Sequence, residues 1–308
     1  MAEITAKLVK DLRERTGAGM MDCKKALTEA DGEIEAAVDW LRTKGLAAAA
    51  KKAGRVAAEG LVGVATSGNK GAVVELNAET DFVARNDSFQ NIVSTIAGIA
   101  LSSDGDLASV KAAAFPGSDR NVEDEITHRI ATIGENLTLR RSKGIAVGKG
   151  VVSHYVHNAL ASGLGRIGVI VGLESEGHEG KLNELGKQIA MHIAAATPLA
   201  LSRDDLDPAY VEKERTVLVE QARESGKPDN IIEKMIEGRL RKYFEEVCLL
   251  DQVFVIDGET RISKVLEVAG KGAGAPVSIA GFVRFQLGEG VQKEEANFAA
   301  EVAATAGN

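Results

Sequence analysis

Apolar positions in the first 45 residues recur at helical spacing in three short runs. Ile4, Leu8, Val9 and Leu12 share one face of a first helix. Met20, Cys23, Ala26 and Leu27 share a face of a second, and Ile34, Ala37, Val38 and Leu41 a face of a third. Glycines at 17 and 19 interrupt the pattern, and Asp31-Gly32 reads as a turn in which Asp31 caps the third helix. Lys44 followed by Gly45 predicts the end of that helix. The result is a three-helix head over residues 1–45, with a core too small for much stability of its own. Residues 46–59, LAAAAKKAGRVAAE, are Ala-rich and basic and predict a helical connector.

Beyond the connector the period changes to that of strands. LVGVATSG and AVVELNAE flank a Gly-Asn-Lys-Gly turn and predict a hairpin, followed by an amphipathic helix, DSFQNIVSTIAGIAL, with Phe89, Ile92, Val93, Ile96 and Ile99 inward. Residues 121–137 read as helix; LTLRRSKGIAV and GKGVVSHYVHN resume strands, with Arg140-Arg141 read as a solvated strand end. Residues 71–100 can be laid on 168–197 without a gap, GAVVELNAE over GVIVGLESE and QNIVSTIA over KQIAMHIA. A strand-turn-helix unit is thus duplicated. Residues 60–150 form a first core subdomain, and 151–197 with 248–285 a second.

Between the two parts of the second subdomain, residues 198–247 hold two charged helical runs split by Ser225-Gly226-Lys227-Pro228. They pair as an antiparallel hairpin, either a projecting arm or a packed insertion. Near the end a helix around ISKVLEVAG precedes a Gly-rich stretch, GKGAGAP, read as a flexible linker. A long strand follows in which Val277, Ile279, Gly281, Val283 and Phe285 alternate onto one face. Residues 286–308 form a C-terminal module closing on an amphipathic helix from about Val291. The fold class is α+β with antiparallel sheets.

Composition narrows the chemistry. Aromatic residues are 4% of the chain, so cores are built from Ala, Val, Ile and Leu. The net charge of −8 argues against a nucleic-acid-coating role; the first 56 residues carry 11 Lys and Arg against 9 Asp and Glu, a mildly basic head on an acidic body. The amphipathic start has no signal-peptide core and no apolar run is long enough to span a bilayer. Cys23 and Cys248 are distant and suit a reducing compartment. The expectation is a cytoplasmic protein without membrane or direct nucleic-acid contact.

Enzyme signatures are missing. GVATSGNKG has Asn69 where a P-loop needs Lys. His154 and His157, three apart in a strand, point to opposite faces and do not read as a metal pair. Neither a Ser-His-Asp nor a Cys-His arrangement is evident. What stands out is Phe82 in NAETDFVARN, just past a strand end. Phe82 is either a core anchor or a side chain displayed for a partner. In the second repeat the matching positions are His178-Glu179, so the shared fold does not require an apolar residue there.

TGAGMMDCKKAL near the start and TDFVARN after the first repeat strand closely resemble the elongation factor Ts family of bacterial nucleotide-exchange factors, and the resemblance covers essentially the whole chain. It implies a ubiquitin-associated-like head that docks on the GTPase domain of elongation factor Tu, with Met20 and Met21 as contacts; for one of the two a core position is equally open. It implies that Thr80, Asp81, Phe82 and Val83 drive magnesium release from Tu, Phe82 wedging between GTPase helices and Asp81 touching the same region. His157 matches a further contact, although NALASGLGRIG after it is longer than a compact turn. The terminal helix is expected to dock on the GTPase domain, and the hairpin to touch another Tu domain or a second copy of this chain. No cofactor and no catalytic residue of its own are implied. The alternatives from other classes are a scaffold that dimerises through the hairpin and an enzyme centred on His154 and His157.

Overall fold

The computed structural model describes residues 4–223 and 228–292. The head is three helices, α1 (Ala6–Thr16), α2 (Met20–Glu29) and α3 (Ile34–Lys52). Thr5 caps α1 through its side chain, and Gly17 closes it in the left-handed conformation, φ +66°, which a residue without Cβ adopts freely. Val9, Leu12, Cys23, Ala26, Leu27 and Ala37 form the buried centre. Asp31 and Gly32 make the predicted turn, both with positive φ, but Asp31 does not cap α3; Glu33 occupies that position without a side-chain hydrogen bond.

Helix α3 does not stop at Gly45. The Ala-rich run beyond it has high helix propensity and carries the helix on to Lys52. The glycine serves packing instead: a Cβ at position 45 would sit 3.1 Å from that of Ala131. Ala49, near the end of α3, is buried in the core of the body, so one continuous helix joins head and body.

The body is built from β1 (Glu59–Ser67), β2 (Lys70–Ala78), α4 (Asp81–Ala84), α5 (Asp87–Ser102), α6 (Leu107–Ala112), α7 (Val122–Ile133), β3 (Leu137–Ala146), β4 (Gly150–His157), β5 (Leu164–Gly165), β6 (Ile167–Glu174) and α8 (Glu179–Ala196). The chain then forms α9 (Pro208–Arg223), α10 (Asp229–Val247), α11 (Ile262–Ala273) and β7 (Ser278–Gln286). Two antiparallel sheets result, ordered β3-β2-β1-β5 and β4-β6-β7.

The sheets face each other across Val62, Val64 and Val73 on one side and Val152, Ile170 and Phe285 on the other. Helices cover the outer faces. Phe89, Ile92, Val93 and Ile96 of α5, with Ile126 and Ile130 of α7, cover the first sheet. Leu182, Leu185, Ile189 and Ile193 of α8, with Ile262 and Leu266 of α11, cover the second. Two repeat units are visible in this layering. β2 and β6 are interior strands of their sheets, and each is followed by a helix on the outer face.

Strand β7 departs from the single-face alternation expected for it. The register shifts between Gly172 and Leu173, which pair with Gly281 and Ile279 and leave Ala280 as an extra residue. Such a bulge reverses the pleat. Val277 and Ile279 therefore join the outer core, whereas Val283 and Phe285 face the other sheet. The Gly-rich stretch is also not a linker: Gly270 to Ala273 complete α11, and Gly274 caps it at φ +88°.

Arg140 and Arg141 are likewise not a solvated strand end. They lie within β3 at a bulge where Arg141 pairs with Glu75 and Leu139 with Leu76. Both guanidiniums bond the buried Glu75 carboxylate, which also accepts from the backbone N–H of Gly288 at 2.9 Å. The α9/α10 hairpin has its own small core of Leu218, Ala222, Ile232 and Ile236, and at its base the segments entering and leaving it are joined by the Ala200–Cys248 bridge. The expected terminal helix lies outside the described residues beyond its first two positions.

Candidate functional site

Strand β2 ends at Ala78 and delivers Glu79 and Thr80 to the surface. Thr80 is extended, φ −124° and ψ 157°, at the position that would cap α4, yet its side chain does not bond that helix. Instead both oxygens of Glu135 take Thr80: the hydroxyl donates at 2.6 Å and the backbone N–H at 3.0 Å. Helix α4 follows as a single turn. Its last N–H groups close onto Phe82 and Val83, and Asn86 immediately caps α5 through Ser88 N–H at 2.8 Å. Gln90 donates to the Ala84 carbonyl at 3.1 Å, which satisfies another helix-end acceptor.

This architecture divides the four candidate residues. Thr80 is held from one side by Glu135, and Val83, with Ala84, is buried in the core beneath α5. The two residues between them point out. Phe82 is 77% exposed, and Asp81 is exposed with only a long 3.5 Å ion pair to Arg85. Such an exposed pair contributes little stability, on the order of 0–1 kcal/mol. The core-anchor reading of Phe82 is excluded by its exposure; Phe89 fills the core instead.

The second repeat clarifies what is special here. His178 caps α8 directly, with its ring nitrogen accepting from Gly180 N–H, and the helix runs unbroken from Glu179. In the first repeat the helix is interrupted at Arg85 and Asn86, and the separated turn is what carries Phe82.

The other candidates stand on other elements. Met20 and Met21 open α2 and are 51% and 77% exposed, while Cys23, Ala26 and Leu27 fill the head core. The inward face expected to include Met20 therefore begins at Cys23. His157 ends β4 exposed, its Nδ1 3.1 Å from the Tyr155 hydroxyl. The long segment after it contains β5, which pairs antiparallel to β1 and extends the first sheet. No hydrogen bond or ion pair among the described residues links these groups to the Phe82 turn.

His154 lies 2.8 Å from the Thr66 hydroxyl and does not converge with His157. Partial desolvation of its ring, with Lys187 nearby, holds its pKa below the ordinary histidine value although the residue is exposed. Among the described residues no group of three or more His, Cys, Asp or Glu side chains is arranged to hold a metal, and no helix is long and apolar enough to cross a membrane. A groove of about 370 Å³ between α3 and α7 is lined mainly by Leu46, Ala49, Ile126, Ile130 and Leu139. Sequence reading missed Glu135 and Asn136, which brace the Phe82 turn from 55 and more residues away. The Gly-Glu-Asn after α7 carries no local signal of that role.

These features define a two-sheet α+β protein whose distinctive surface among the described residues is a displayed turn. Comparison with known proteins gives the family. The sequence pattern described as Elongation factor TS matches residues 79–289. The chain is 65% identical over 307 residues to elongation factor Ts of Paramagnetospirillum magneticum, covering 100% of this chain and 98% of the relative. It is 65% identical over 305 residues to that of Rhodospirillum rubrum, covering 99% of each, and 62% identical over 307 residues to that of Rhodospirillum centenum, covering 100% of each. The chain belongs to the elongation factor Ts family, translation elongation factors of protein biosynthesis whose role is nucleotide exchange on elongation factor Tu.

Proposed function

We propose that this chain binds elongation factor Tu·GDP in the cytoplasm and speeds GDP release by disturbing the magnesium and phosphate site, which then accepts GTP. The observation that carries the reading is Phe82, a large apolar side chain 77% exposed on a turn held from both ends. Exposing it is unfavourable for the free protein, and burying it in a partner recovers roughly 1.5–3 kcal/mol. A partner accelerates release only if it binds the nucleotide-free or strained form better than the GDP form. Phe82 supplies that difference when the site that receives it opens only as GTPase helices shift. Asp81 touches the same region, and the shift pulls the magnesium ligands out of place. By reciprocity GTP binding weakens the complex, and the factor is released.

Met20 and Met21 dock the head on the GTPase domain, their flexible side chains suiting an adaptable apolar contact. His157 adds a contact elsewhere, and the hairpin reaches another Tu domain or a second copy of this chain. Magnesium and nucleotide belong to the partner; the exchange factor contributes no reacting group and needs no cofactor. Gel filtration with Tu tests the linkage. A complex forms without nucleotide and dissociates with excess GDP; a complex indifferent to GDP would speak for a scaffold instead.

A further inference from the structure

Glu79 and Glu135 form a crossed clamp at the root of the Phe82 turn. Glu135 takes the N–H and hydroxyl of Thr80. In return, Glu79 takes the backbone N–H of Asn136 at 2.6 Å, and Arg55 pairs with the other oxygen of Glu79 at 3.5 Å. The buried Asn136 side chain completes the junction by donating to the Arg55 carbonyl at 2.8 Å. Three segments therefore meet: the stretch following α3, the end of β2 and the start of β3.

We propose that Glu135 is a positioning residue for nucleotide exchange, fixing the turn from which Phe82 projects. The inference rests on the exchange reading above, in which Phe82 is the acting side chain. Phe82 itself is 77% exposed among the described residues, so its direction is set chiefly by the residues on either side. Val83 is fixed by burial in the core; Thr80 is fixed by Glu135. Charge-assisted bonds of this length are strong, and two of them hold one residue in both main chain and side chain. Without the carboxylate, the Thr80 hydroxyl is free to cap α4, since threonine is a favoured residue at that position. The turn then has a competing geometry and Phe82 loses its preset direction. A preset side chain binds with less ordering cost, so the loss falls on exchange rather than on folding.

The test uses the full chain and Tu loaded with fluorescent GDP, in stopped flow. Glu135→Ala lowers the maximal stimulated release rate by about ten-fold, the equivalent of one charge-assisted hydrogen bond, and leaves the half-saturating concentration largely unchanged because the head still docks. Glu135→Gln, whose amide oxygen accepts one Thr80 donor, restores most of the rate and carries the test if the alanine variant folds poorly. Hydrogen–deuterium exchange over residues 79–86 rises in Glu135→Ala while the other strands keep their protection. In a Phe82→Ala background, Glu135→Ala costs almost nothing further. A wild-type rate in Glu135→Ala, or a full second loss in the double variant, would overturn the positioning role. The two failures separate cleanly: if Phe82→Ala alone exchanges normally the exchange reading falls with this one, whereas a slow Phe82→Ala beside a normal Glu135→Ala removes only the positioning role.

Discussion

Arg141 donates Nε to Glu75 at 2.5 Å while its guanidinium lies 4.2 Å from the centre of the Phe285 ring. One side chain thus ties the first sheet to the last strand of the second. Glu75 has no exposed surface and is also bonded by Arg140, Asn77 and the Gly288 N–H. Removing the carboxylate leaves two arginines and a backbone donor without their buried acceptor. Glu75→Ala should therefore lose about 3–5 kcal/mol of unfolding free energy. Urea denaturation followed by circular dichroism measures it, and a loss below about 1 kcal/mol would mean that solvent replaces the carboxylate at little cost.

The close approach of the sheets gives a second expectation. A Cβ on Gly168 would come within 2.6 Å of Val62 and 2.8 Å of Val64, both on the facing strand. Those branched side chains are buried in the inter-sheet layer and stiff at χ1. Gly168→Ala should cost about 1–3 kcal/mol as overpacking. An unchanged urea midpoint would show that the inter-sheet layer yields more readily than its packing implies.

How far the sequence reveals this molecule depends on the range of the interaction concerned. The period of Phe89, Ile92, Val93 and Ile96 gives α5 and its buried face, because burial on one side of a helix imposes that spacing. Phe82 is legible as displayed because its repeat partner is Glu179. What fails is whatever a distant segment decides. Gly45 looks like a helix stop until Ala131 provides a packing reason for a small residue there. The Ala280 bulge, invisible in an alternating pattern, sends Val283 and Phe285 to the opposite face from Ile279. Arg140 and Arg141 look solvated until Glu75, 65 and 66 residues away, meets them in a neighbouring strand. Glu135 is the same case at the site itself: its partner Thr80 is 55 residues earlier.

Acidification should weaken the second half of the body through His192. That residue is fully buried, its Nε2 2.9 Å from Gln252 Oε1 and its Nδ1 accepting from Val255 N–H at 3.3 Å. Burial lowers its pKa below the ordinary value of 6.5, against the opposing effect of Gln252. The folded protein therefore prefers neutral imidazole, while the unfolded chain takes up the proton first as pH falls. Stability from this group is complete above about pH 6.5 and is lost as pH drops toward the lowered folded pKa. Urea midpoints compared at about pH 7 and pH 5 should fall less in His192→Gln than in the parent chain. Equal falls in both would remove His192 as a source of the pH dependence; His128, also lowered chiefly by burial, contributes separately.

The Met pair on the head predicts a pure binding effect. Met20 and Met21 are exposed and contribute little to the head core. Replacing both by Ser should leave the thermal unfolding of the free chain almost unchanged while raising the half-saturating concentration for Tu in the exchange assay. A lowered melting temperature with normal affinity would instead make the pair a structural feature of the head.

The central claim is that Phe82 acts on another protein's nucleotide site and not on its own fold. Stopped-flow release of fluorescent GDP from Tu, stimulated by Phe82→Ala and by the Asp81→Ala/Phe82→Ala pair, tests it most directly. The loss of one buried aromatic contact in the exchange complex predicts a rate lower by about 10- to 100-fold, with a circular dichroism melt close to that of the parent. GDP release at the parent rate by the double variant would contradict the account.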